Sequence, residues 1–128
     1  MISGYDPDEY EPVIPVVTET GAVRSNIYPK GNAFPARYEL MMRNSVAFRR
    51  LAEVYGEGEG KYGPDNWMKG FKESVLVSHA LEHIRLHLNG VPTGEDDISH
   101  AVWNLMTLMW VQENKPELMD ITKPQQVL

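Results

Sequence analysis

The chain has 128 residues, a net charge of −6 and no cysteine. This length suits one domain, and the missing cysteines exclude a disulfide framework, a thiolate nucleophile and a cysteine-held zinc site. The dispersed Lys and Arg of an acidic chain argue against a polymeric nucleic-acid partner, and no apolar run approaches the ~18 residues of a membrane span.

Residues 1–35 read as an extended N-terminal arm. Its first eleven residues are acidic and rich in Tyr and Pro, unlike a signal peptide, and with the missing cysteines this fits a cytoplasmic protein. Pro7, Pro12, Pro15, Pro29 and Pro35 break any helix here, while Val13, Ile14, Val16 and Val17 suit a short extended piece. Such an arm lies on the body or reaches a neighbouring subunit.

Helical spacing begins at Arg37. A first helix is expected over residues 37–61, with Ala47, Phe48, Leu51, Val54, Tyr55 and Tyr62 on one broad face. Gly56, Gly58 and Gly60 weaken its last turns by about 1 kcal/mol each, a cost that close approach of a ligand or another helix would explain. Residues 63–66, Gly-Pro-Asp-Asn, make a turn. A second helix, from residue 69 or 74 to residue 88, carries the stripe Val77, Leu81, Ile84, Leu88 and stops at Asn89-Gly90. A third, over residues 95–113, packs through Ile98, Ala101, Val102, Leu105, Leu108 and Met109. Glu95, Asp96 and Asp97 crowd its first turn, where the helix dipole favours them. The class is all-α, a bundle of three main helices over residues 36–115 with a C-terminal tail over 116–128, completed by oligomerisation.

Several polar groups stand where chemistry could use them. Glu53 and Glu57, four residues apart, share one side of the first helix. Two carboxylates so placed suit hard Mg²⁺, although spacing alone is satisfied more simply by a solvated acidic face. Asp97, His100 and Asn104 form a stripe bordering the core of the third helix, where polar groups are costly unless paired or ligating. On the second helix, His79, Glu82 and His83 share the H-x-x-E-H order of some zinc hydrolases. Residues 61–67 join a cation, a tight turn and a Trp, reading either as a phosphate-touching Lys61 beside an aromatic wall or as a turn anchored by a core Trp67. Arg24, Arg37, Arg49 and Arg50 are further candidate phosphate partners.

Taken together, Thr20-Gly-Ala-Val-Arg24, Leu51-Ala-Glu-Val-Tyr-Gly-Glu-Gly58, Lys61-Tyr-Gly63 with Asn66-Trp67, Glu82-His83 and His100-Ala-Val-Trp-Asn104 resemble the phage and bacterial dATP/dGTP diphosphohydrolases, the MazZ-like branch of the all-α MazG-type nucleoside triphosphate pyrophosphohydrolases. The resemblance runs from residue 20 to about residue 110. It implies packed helices in a homodimer or homotetramer, and cleavage of a purine triphosphate, dGTP before GTP and dATP, to monophosphate and pyrophosphate. In phages it further implies remodelling of the purine pool for 2-aminoadenine DNA. Glu53 and Glu57 take the outer positions of the family's glutamate motif; Asp97 and His100 stand at its E-x-x-D spacing with both residue types changed. The implied metal ligands are Glu53, Glu57, Glu82 and Asp97, holding two or three Mg²⁺ or Mn²⁺ ions, with Glu53, Glu57 and His83 as catalytic groups. Arg24, Lys61, Asn66, Trp67, His100 and Asn104 are the implied substrate contacts. Two other readings compete: a zinc hydrolase built on His79, Glu82 and His83, and a non-enzymatic helical module binding through Met106, Met109 and Met119.

Overall fold

The computed structural model describes residues 15–25 and 36–122. Val13, Ile14, Pro7, Pro12, Pro29 and Pro35, used above, lie outside these. The chain divides into two compact units, the first within residues 1–41 and the second within residues 42–127.

In the first unit, β1 (Pro15–Val17) and β2 (Val23–Ser25) pair antiparallel with Val16 opposite Arg24. The turn between them is closed by backbone bonds from Thr18 to Ala22 and from Gly21 to Thr18, with Gly21 at φ 85°. The expected extended piece is therefore one strand of a hairpin, and Val16 and Val17 lie on it exposed. A four-residue helix, α1 (Tyr38–Met41), follows.

The second unit holds three long helices: α2 (Ser45–Tyr62), α3 (Glu73–Asn89) and α4 (Asp97–Asn114). The all-α class holds. The single helix expected over residues 37–61 is broken, because Asn44 starts a new one, its side-chain oxygen accepting from the Ala47 N–H at 3.2 Å. The second expected helix starts at Glu73, after a separate 3₁₀ turn at Asn66–Lys69. Gly70 parts the two at φ 89°, and a Cβ there would meet Leu118 and Lys115 side-chain carbons at 2.7 Å. Asp96, not Glu95, caps α4 through the Ser99 N–H at 3.2 Å.

The beginning of α3 is capped from the other end of the unit. Asp120 accepts from the Ser74 N–H at 2.8 Å, and buried Glu73 accepts from the Ile121 and Thr122 N–H groups and the Thr122 hydroxyl at 2.7–2.8 Å. The Asp120 bond satisfies a helix-end donor that no intrahelical carbonyl can reach, and the Glu73 bonds satisfy donors of the segment after the last 3₁₀ turn. They also hold residues 119–122, just after the 3₁₀ turn Pro116–Leu118, against the bundle.

Helix α3 packs mainly on α4, and α2 on α4. The core face differs from the one expected. Leu76 and Ala80 are the buried apolar residues of α3, whereas Leu81 and Leu88 are 61% and 77% exposed and Ile84 is at the exposed boundary. On α4, Ala101 is buried as expected, but Ile98, Val102, Leu105 and Met109 are exposed, and the buried stripe is Ala101, Asn104, Thr107 and Val111. Small Ala80, Ala101 and Thr107 let the helices pack closely. Periodicity finds an apolar stripe without saying what covers it. Close approach of a ligand or another helix is the expected reason for the three helical glycines; within the chain, a Cβ at Gly56, Gly58 or Gly60 meets nothing within 4 Å among the described residues.

Candidate active site

The second half of α2, the turn after it and the facing sides of α3 and α4 enclose a cavity of about 460 Å³. Besides Tyr62, four interlocked aromatic side chains line it: Tyr55, Trp67, Phe71 and Trp103. They are locked edge to face or tilted, Tyr55 against Trp67 and Trp103 at 5.9 and 6.1 Å and Phe71 against Trp103 at 6.2 Å. Trp67 is braced from behind by Trp110 at 5.3 Å. The turn carrying Asn66 and Trp67 closes through left-handed Asp65, whose carbonyl accepts from the Met68 N–H. Partial burial pushes the Tyr55 phenol up.

A second wall is polar. His83 of α3 and Asp97 of α4 meet at 2.9 Å, and the Thr93 hydroxyl donates to the other Asp97 oxygen at 2.8 Å. The His83 contact holds Asp97 below the usual carboxylate range, with Thr93 adding to it. The His83 and His100 rings stack at 4.9 Å. A carboxylate and a carbonyl only accept, so the Nδ1 atoms that face Asp97 Oδ1 and the Asp96 carbonyl, at 2.9 and 2.8 Å, carry the protons. In the neutral rings Nε2 then holds the lone pair. Glu95 joins this group: ligand atoms of His83, Glu95 and Asp97 lie within 4.8 Å of one another. The two carboxylates so gathered fit a hard divalent cation, with the imidazole beside them.

The residues expected at a site are distributed as follows. Glu57, Lys61, Asn66, Trp67, His83, His100 and Asn104 line the cavity together. Asp97 belongs to the His83 cluster on its wall. Glu57 and Lys61 pair at 2.8 Å, which lowers the carboxyl pKa and raises that of the ammonium. Glu53 is exposed and outside the lining. Glu82 gives both oxygens to Arg85, at 3.0 and 2.6 Å, and is also outside it, so it does not join His79 and His83, which line the cavity. Arg24 stands exposed on β2 of the first unit. Glu95, Thr93, Tyr55 and Trp103 were not singled out from sequence. Glu95 read as a helix-dipole charge and Tyr55 as a core aromatic; only the fold brings both to the cavity.

The helices and this cavity define a small all-α protein with a pocket of small-ligand size, aromatic on one side and carrying a carboxylate–histidine group on the other. The family model described as "dATP/dGTP diphosphohydrolase, N-terminal" matches residues 28–121, and the chain belongs to this family. It is thus a hydrolase of the kind that acts on nucleoside triphosphates. No curated protein and no solved structure matches the chain. Among the described residues, no helix is long and apolar enough to cross a membrane.

Proposed function

We propose that the cavity binds a purine deoxynucleoside triphosphate, dGTP before dATP, and hydrolyses it to the monophosphate and pyrophosphate. The observation that carries this reading is the meeting of the His83–Glu95–Asp97 group and the four aromatic rings in one pocket region of the family's matched domain. The rings offer a stacking surface for a base, with Asn66 and Trp67 on its edge.

Asp97 and Glu95, with Glu57 on the same cavity, would hold Mg²⁺ or Mn²⁺, two or three ions as the family resemblance implies. Glu53, one turn before Glu57, and Glu82, beside His83, which the resemblance adds to that set, lie outside the cavity lining, and Glu82 is held by Arg85. A cation bound there supplies charge neutralisation for the triphosphate and a lowered pKa for water. The attacking water forms its bond to the α-phosphorus, the bond from that phosphorus to the α–β bridging oxygen breaks, and pyrophosphate leaves. His83, its ring fixed by Asp97, accepts the water's proton at Nε2. Lys61 offsets charge on the phosphate oxygens. In a phage setting the dGMP formed in the host cytoplasm would feed synthesis of 2-aminoadenine nucleotides.

The protein also self-associates in this reading, as a homodimer or a dimer of dimers. Leu81 and Leu88 of α3 and Val102, Leu105 and Met109 of α4 are apolar, exposed and at helical spacing, and a second copy of the same stripe covers them most simply.

A panel of dNTPs with Mg²⁺ or Mn²⁺, separated by chromatography, tests the activity. Expected products are dGMP and pyrophosphate in equal amounts, abolished by EDTA. Release of dGDP and phosphate would show a γ-phosphatase instead. No product from any triphosphate would leave the non-enzymatic reading, and activity restored by Zn²⁺ alone would favour the zinc hydrolase.

A further inference from the structure

Asn104 is a buried polar residue of the cavity wall with an unpaired side-chain oxygen among the described residues. It is 5% exposed, on the buried stripe of α4 and next to Trp103, which belongs to the aromatic wall. Its Nδ2 donates to the His100 carbonyl one turn back at 2.8 Å. Its Oδ1 is buried with no partner among the described residues. The orientation of this amide is chemically forced, since turning it over would set Oδ1 against the His100 carbonyl oxygen, two acceptors face to face. Asn104 therefore presents Oδ1 as a fixed, unpaired acceptor, while one of its two Nδ2 hydrogens is held by the His100 carbonyl. A buried acceptor left unpaired costs free energy that a ligand N–H would recover.

We infer that Asn104 reads the base: its Oδ1 accepts an N–H from the edge of a purine stacked on the aromatic wall. This rests on the proposed reading of the cavity as a nucleotide site and adds what that site selects. Adenine offers its 6-amino group; guanine offers N1–H and its 2-amino group. A ring nitrogen or carbonyl brought to the same point meets a second acceptor and is rejected. Because the amide cannot turn over, the two purines must present different N–H groups to one oxygen, so Asn104 separates adenine from guanine by how each ring has to sit.

The test compares dGTP, dATP and 2′-deoxynebularine triphosphate, a purine with no base N–H. It is read as kcat/KM and as the Kd of the α,β-methylene analogues, followed by quenching of Trp67 and Trp103 fluorescence. Wild-type protein should disfavour the nebularine nucleotide about ten- to hundredfold against the better natural purine in both readouts. Asn104→Leu should bring that ratio to within about threefold. Equal affinity of the wild-type protein for all three overturns the inference, with no variant needed. A ratio unchanged in Asn104→Leu overturns it too. Discrimination in Kd without hydrolysis of any triphosphate would sink the hydrolytic reading and leave the role of Asn104 standing.

Discussion

Arg50 of α2 grips both oxygens of Asp96, at 2.7 and 2.6 Å, and Asp96 is the residue that caps α4. The same carboxylate accepts from the Ser99 N–H at 3.2 Å and the Ser99 hydroxyl at 2.7 Å. Arg50, as the foremost cause, drives its pKa far below the ordinary carboxylate value. Asp96 sits between Glu95 and Asp97, so this ion pair anchors the stretch that carries both carboxylates of the His83 group. Its carbonyl also fixes the His100 ring.

Removing that cap should therefore harm stability and activity together. Asp96→Ala is expected to cost about 1–2 kcal/mol, the usual value of a lost N-cap, and to lower kcat. Arg50→Ala should shift the same two quantities less. Thermal unfolding beside steady-state kinetics checks this; a variant that melts lower with unchanged kcat would separate the cap from the site.

The carboxylates should rank by their place in the structure. Asp97→Asn and Glu57→Gln are expected to reduce pyrophosphate release by about a hundredfold or more, since they line or flank the cavity. Glu53→Gln and Glu82→Gln should lose far less, because Glu53 is outside the lining and Glu82 is occupied by Arg85. Circular dichroism on each variant distinguishes lost chemistry from lost fold. The reverse ranking would move the metal ligands onto the outer faces of α2 and α3.

The helical glycines separate a structural cost from a functional use. Gly56→Ala and Gly60→Ala should each stabilise α2 by about 0.5–1 kcal/mol, as an added Cβ meets nothing. Gly58→Ala should stabilise similarly while raising KM, because Gly58 lines the cavity. Denaturant midpoints and KM values decide between these outcomes. Destabilisation at Gly56 or Gly60 would point to a helix of another copy lying against that face.

The pairing of Glu73 with residues 121 and 122 should make stability depend on acid. Bonds to Thr122, followed by the Ile121 N–H, lower the Glu73 pKa below 4.5 in the folded protein. A carboxyl depressed on folding stabilises fully above its unfolded pKa and loses that contribution as pH falls through the lower folded value. Asp120, lowered from 3.8 by Ser74, acts in the same direction. The Tm of Glu73→Gln should fall below wild type at pH 7, and the gap should narrow from about pH 4 downward.

Replacing Leu81 and Leu88 by Glu should leave helix content intact and shift the mass measured by light scattering toward one copy. These side chains touch little of their own protomer. Collapse of the fold instead would mean that the stripe supports the monomer.

The sequence by itself determined the three long helices and the stops of α2 and α3, though not the break at Asn44 or the start of α3 at Glu73. Asn89-Gly90 stops α3, the Gly63–Asn66 turn follows α2, and the helical period needs no distant partner to be read. It also placed Glu57, Lys61, Asn66, Trp67, His83, His100 and Asn104 among the candidates, because their types and spacing are local facts. Only the tertiary structure decided the rest. Which of two apolar stripes on α3 is core depends on how closely Ala80 and Ala101 let two helices approach, a distance no one-dimensional pattern contains. Whether Glu95 is a helix charge or a site carboxylate depends on His83, twelve residues earlier, meeting it across the packed pair α3 and α4.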